Sequence, residues 1–147
     1  ATLVNGGTHY SAHLLKSVKS YDYSEVLYER EPEVLDTIEI APENLNAVLE
    51  GMRLVAAEGG TTYRFFKDLP VTVGAKTGSA QVSSTTESNA VFVCFAPYED
   101  PEIALAVVVE KGGSGMELAA IAADVLEYYF STGTGLEAAA KENTLLR

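Results

Sequence analysis

Apolar residues recur along this chain in two different rhythms. Between Pro42 and Gly60 the rhythm is helical: Leu45, Val48, Leu49, Met52, Val55 and Ala56 form one stripe. Pro42 suits the first turn of that helix, and Gly59-Gly60 supplies its glycine stop. The rhythm then changes to three strand-like runs, Val71–Val82, Asn89–Ala96 and Glu102–Glu110, with short links at Ser83–Ser88 and Pro97–Pro101. Links this short join antiparallel neighbours, because a parallel crossover needs about a dozen residues or more. The middle run is apolar at successive positions, which predicts a central strand covered on both faces. A second helix follows. Ser114 and Glu117 are spaced as a capping box after Gly112-Gly113, and Leu118, Ile121, Ala122, Val125, Leu126 and Tyr129 form a face that predicts packing across the sheet.

The flanks are less periodic. Asn5-Gly6-Gly7 reads as a turn after a helix end. His13–Ile40 is a mixed, polar stretch with strands expected at Leu14–Val18 and Glu25–Glu29. Ser131–Arg147 offers no packing face before Leu145 and Leu146, so residues 131–147 are expected to form a loosely packed tail behind a domain at 1–130. The expected fold class is α+β: an antiparallel meander packed against helices. Two helices are a thin supply for a sheet that needs cover on both faces. Together with a start at Ala1, this predicts that the chain is cut from a larger domain.

Composition narrows the function. The chain has 147 residues, 47% hydrophobic and 21% charged, which is globular composition in the one-domain range. Its longest apolar stretches, Val91–Ala96 and Ile103–Val109, fall well short of the ~20 residues of a membrane helix. A formal net charge of −11 argues against a nucleic-acid or anionic-membrane surface. Cys94 is the single cysteine, sits in an apolar run, and reads as core. His9 and His13 have no third ligand in sequence reach, and the acidic group Glu29, Glu31, Glu33 and Asp36 lacks the spacing of a calcium loop. No metal or cofactor is expected.

The remaining signal is Lys76-Thr77-Gly78, within Val-Gly-Ala-Lys-Thr-Gly-Ser-Ala-Gln on the first strand of the meander. Three letters arise often by chance. Their setting is more specific, between a helix and two further strands that lead into a capped helix. Here the chain resembles the transpeptidase domain of the penicillin-binding proteins, most nearly the class B type. That family uses S-x-x-K, S-x-N and K-T-G. Asn5-Gly6-Gly7-Thr8 is similar to its N-G-G-T segment; Gly51-Met52 with Val55, then Gly59-Gly60-Thr61, is similar to the stretch before its motif strand. Lys76–Gln81 fits K-T-G-[ST]-A-Q, and Val107-Val108-Val109-Glu110 with Gly112-Gly113-Ser114-Gly115 resembles its last strand and closing turn. The likeness runs in order from about residue 5 to 130.

The resemblance implies the C-terminal half of a serine β-lactamase/penicillin-binding-protein fold, from a peptidoglycan D,D-transpeptidase. Acyl transfer from a D-alanyl-D-alanine stem peptide needs an anchor for the terminal carboxylate and donors for the developing oxyanion. Lys76 and Thr77 suit the first task. Gly78 leaves room for a substrate strand to add alongside. The Ser79 amide would be an oxyanion donor. Thr77 and Ser79 share a strand face, and Gln81 is expected to continue it as a weaker candidate. Ser79 stands where Thr is commoner in the family, and Ala75 where Gly is frequent.

The sequence contains no S-x-x-K, Ser-x-Asn or Tyr-x-Asn. The nucleophile is therefore expected in a missing N-terminal part of the same protein, and this chain alone is expected to be inactive. Partners implied are the stem peptide, β-lactam antibiotics and that missing part, with no nucleic acid. The implied location is extracytoplasmic, on a membrane anchor. An open sheet edge and an apolar face would also promote self-association of the chain, which light scattering would reveal. Two other readings share these residues: a non-catalytic binding or structural module of the same fold, and a β-lactamase or β-lactam sensor. The N-G-G-T and G-M-x-x-V segments favour the synthase.

Overall fold

Short, mostly exposed strands make up the first of two units, Ala1–Pro42 and Glu43–Arg147, in a computed structural model that describes residues 1–131. A 3₁₀ turn, Thr2–Val4, runs into Asn5-Gly6-Gly7, where both glycines hold positive φ. Strand β1 (Thr8–Tyr10) pairs antiparallel with β4 (Val34–Thr37), and β2 (Ser17–Lys19) pairs with β3 (Val26–Glu29). The expected Leu14–Val18 strand thus starts three residues later, leaving Leu14 and Leu15 exposed. The turn between β2 and β3 is held by Asp22, whose carboxylate accepts from the hydroxyls of Ser20 and Ser24 and from the Ser24 amide. Those donors favour the ionised form and hold its pKa at about 2.

The second unit contains the meander. Helix α1 (Pro42–Ala56) and a short turn of helix, α2 (Tyr63–Phe66), lead into strands β5 (Gly74–Ala80), β6 (Asn89–Ala96) and β7 (Ile103–Val109), and then helix α3 (Leu118–Ser131). The sheet runs β5-β6-β7, antiparallel throughout, with Thr77 opposite Phe92 and Phe92 opposite Val107. The expected fold class, α+β with an antiparallel meander against helices, is the one observed. Thr62 is the buried polar residue of this unit among the described residues. Its hydroxyl and amide both donate to the Val55 carbonyl, at 2.9 and 3.0 Å, and so satisfy a carbonyl at the end of α1.

One face of the sheet is the core. Ala75, Ala90, Phe92 and Cys94 pack with Leu118, Ala119, Ala122 and Leu126 of α3, and Phe92 stacks on Phe66 of α2 at 6.1 Å between centroids. The other face is thinner. Phe95 is buried there beside Tyr98, but Val91 and Val93 are half-buried and Val108 is exposed. The two-sided cover expected for β6 is therefore complete on one side only among the described residues, because α2 and α3 both serve the same face.

Three helix expectations are corrected. On α3, Leu118, Ala119, Ala122 and Leu126 are buried while Ile121 and Val125 are exposed, so the inward face is turned toward Ala119, a position the expected stripe leaves out. On α1, Leu45, Leu49, Met52 and Val55 are half-buried and Ala56 is buried, but Val48 is exposed. The capping box does not close. Ser114 Oγ accepts from the Met116 amide, and Glu117 instead pairs with Arg64 of α2 at 2.8 Å, so α3 starts at Leu118. The expected tail at 131–147 lies outside the described residues, apart from Ser131, which ends α3.

Cys94 is buried, and desolvation pushes its thiol pKa up to about 12. A thiol is nucleophilic only as thiolate. Folded protein is therefore expected to stay inert to Ellman's reagent at pH 8 and to release one equivalent in denaturant. Rapid labelling of the folded chain would contradict this placement.

Candidate functional site

Strand β5 has a partner on one side only, so half of its backbone groups point away from β6. Two contacts identify which half. The Thr72 carbonyl, just ahead of the strand, accepts from Tyr98 N–H at 2.8 Å on the β6 side. The Thr77 carbonyl instead accepts from Lys76 Nζ at 2.5 Å. In an extended strand every second residue turns its N–H and C=O the same way. Even-numbered residues of β5 thus face β6, and Ala75, Thr77 and Ser79 present their backbone groups at the open edge.

Side chains follow the other alternation. Thr77 and Ser79 project on the face that carries the core, at its uncovered end, while Lys76 and Gly78 lie on the opposite face. Lys76 bends back over the edge to reach Thr77, so ammonium, hydroxyls and free amide converge on one line of strand. Lys76 is exposed and forms no ion pair among the described residues. In a chain of net charge −11 this leaves a cation available to an incoming carboxylate. Gln81 does not join the set. Strand β5 ends at Ala80, and the Gln81 amide turns to the Ser83 carbonyl at 3.4 Å, so the expectation that it continues the Thr77–Ser79 face is corrected.

Two glycines at this edge differ in the space around them. Gly115 lies against the sheet so closely that a Cβ there would strike the Gly78 carbonyl, the Gly78 nitrogen and the Val91 carbonyl. Its amide donates to Ser79 Oγ at 3.4 Å. Gly78 is the opposite case: a Cβ would meet only Val91, at 3.5 Å or more, in ordinary contact. The fold does not need glycine at 78. The two histidines have different partners, Asp36 at 3.2 Å for His9 and the Ser11 carbonyl for His13, and no group of three metal-ligating side chains occurs among the described residues. No helix among those residues is long and apolar enough to cross a membrane.

The antiparallel sheet with its helices has the fold of penicillin-binding-protein transpeptidase domains, within the serine β-lactamase-like fold. Pseudomonas aeruginosa PBP2 in complex with WCK 5153 superposes with a TM-score of 0.61 at 30% identity, over 83% of this chain and 27% of that one. Penicillin-binding protein A from M. tuberculosis, solved as an imipenem acyl-enzyme complex, gives 0.62 at 27% identity, over 84% and 28%. In sequence, peptidoglycan D,D-transpeptidase MrdA of Salmonella typhimurium (strain SL1344) is 30% identical over 144 residues, 87% of this chain and 23% of that protein. Residues 1–127 match the penicillin binding protein transpeptidase domain, and the chain belongs to that family. It spans under a quarter of the length of this curated relative.

Proposed function

We propose that this chain, over residues 1–130, carries the substrate-binding strand of a peptidoglycan D,D-transpeptidase. The observation behind the reading is the open edge of β5, where an ammonium with no carboxylate partner among the described residues, two hydroxyls and the outward Thr77 and Ser79 backbone lie together. A stem peptide adds to that edge in extended form, its terminal carboxylate against Lys76 and Thr77 and its scissile carbonyl near the Ser79 amide. A serine supplied by S-x-x-K outside this sequence attacks that carbonyl, and the tetrahedral oxyanion takes a hydrogen bond from Ser79 N–H. The carbonyl re-forms as the bond to the terminal D-alanine breaks, which leaves the acyl group as an ester on the serine. An acceptor amine then displaces the serine and forms the cross-link. A β-lactam follows the first half and stops as the ester. The imipenem acyl-enzyme of the M. tuberculosis relative is consistent with that outcome. The work would lie outside the cytoplasmic membrane, where the stem peptides are.

The missing S-x-x-K favours one other reading, a binding module of the same fold without a nucleophile. Intact mass and a fluorescent penicillin separate the two. The native gene product is expected to be longer than this chain and to take one covalent adduct; the isolated chain is expected to take none. A native product of this length that stays unlabelled supports the module, and an adduct on the isolated chain refutes the absence of a nucleophile.

A further inference from the structure

Strand β5 is backed by the turn that joins β7 to α3, and that turn is fastened at three points. Lys111 N–H donates to Asn89 Oδ1 at 3.0 Å, Gly113 N–H to the Ser88 carbonyl at 2.9 Å, and Gly115 N–H to Ser79 Oγ. Just beyond it, Glu117 is tied to Arg64. The first two fastenings hold the turn to the start of β6. Only Gly115 reaches β5, and it reaches the two residues whose peptide carries the outward Ser79 amide.

Two physical features make that contact directional. Gly115 rests on the Gly78 peptide with no room for a methyl group, and its neighbours there are backbone atoms that have no rotamer to change. The Gly78–Ser79 peptide therefore cannot rock toward the turn. Accepting from Gly115 also occupies one lone pair of the Ser79 hydroxyl and leaves its own hydrogen free to donate outward. We propose that Gly115 is a positioning residue, which fixes the plane of the Gly78–Ser79 peptide and hence the direction of the Ser79 oxyanion donor. This rests on the transpeptidase reading above. A donor displaced by about 1 Å can cost on the order of 10²-fold in rate, so the contact carries rate rather than affinity.

The test uses the full-length protein and separates binding of a fluorescent penicillin (Kd) from its acylation step (k2). Gly115→Ala is expected to lower k2 at least about tenfold with Kd nearly unchanged. Gly112→Ala is the matched control, since the atoms nearest its methyl would belong to the side chains of Ala90 and Val109, on β6 and β7. It is expected to lower the melting temperature and the labelled fraction while the labelled molecules keep the wild-type k2. If Gly115→Ala behaves as Gly112→Ala does, with k2 intact, the turn is merely structural and the proposal is overturned.

Should Gly115→Ala fail to fold, phenylboronic acid gives the second measurement. It forms a tetrahedral adduct on the serine and has no carboxylate to engage Lys76 or Thr77. Ser79→Ala keeps the amide and loses the acceptor for Gly115, and is expected to weaken that adduct about three- to tenfold, roughly what a neutral hydrogen bond provides. Unchanged affinity overturns the proposal. A wild-type protein that never labels overturns the transpeptidase reading itself, which is a different result from a wild type that labels and a Gly115→Ala variant that labels equally fast.

Discussion

Lys76→Ala in the full-length protein is expected to slow acylation by a fluorescent penicillin on the order of 10²-fold. Removing one partner of a desolvated charge pair costs about 2–5 kcal/mol, and about 1.4 kcal/mol is a factor of ten in rate. Lys76 has no carboxylate partner among the described residues, so truncating it leaves no protein charge orphaned. The loss should appear in ligand handling while the melting temperature stays put. Gly78→Ala makes the complementary point. Its methyl group would meet Val91 at ordinary van der Waals distance, and Gly→Ala at a tolerant site adds about 0.4–1 kcal/mol of stability by restricting the unfolded chain. A variant that melts no lower than wild type yet acylates at least about tenfold more slowly would show the space at Gly78 being kept for an added strand. Wild-type rates for Gly78→Ala would sink strand addition at this edge; wild-type rates for Lys76→Ala would sink the carboxylate anchor.

The meander was legible in the sequence because its elements are local and well separated. Strand β6 has the predicted bounds, since Val91–Ala96 is apolar at every position and both flanking turns are short. Helix α1 starts at Pro42 as expected, and Lys76, Thr77, Gly78 and Ser79 fall on β5. The first 40 residues were harder for a physical reason. Strands β1 and β4 hold three and four residues and pair across 27 positions, His9 with Asp36, so neither alternation nor a hairpin turn marks them. Glu117 shows how tertiary contacts override local pattern: the capping-box spacing is present, but an arginine on another helix competes for the carboxylate. The contact of Gly115 with β5 was not legible for a related reason. In sequence it is one glycine of a turn, and only its approach to Gly78, 37 positions earlier, gives it meaning.

Phe92→Ala is expected to remove about 3–5 kcal/mol from the stability of the unit that holds the sheet. Phe92 is fully buried, is among the largest side chains so placed, and lies in the central strand between Thr77 and Val107. Its ring stacks on Phe66, so truncation opens a cavity that backbone on both flanks, fixed in register, cannot close. Against the 5–15 kcal/mol typical of a folded domain this is a large share. Urea unfolding followed by circular dichroism should show a lower midpoint with an unchanged slope. Val108→Ala, on the exposed face, should shift stability by no more than about 0.5 kcal/mol. Because Phe92 sits behind Thr77 without touching the open edge, its loss should reduce the fraction of full-length protein that labels while leaving k2 of the folded fraction intact. That separates it from Lys76 and Gly115, whose variants change a rate. A cost under about 1 kcal/mol for Phe92→Ala would mean that the face shared by α2, α3 and β6 is not the core that holds β5 in place.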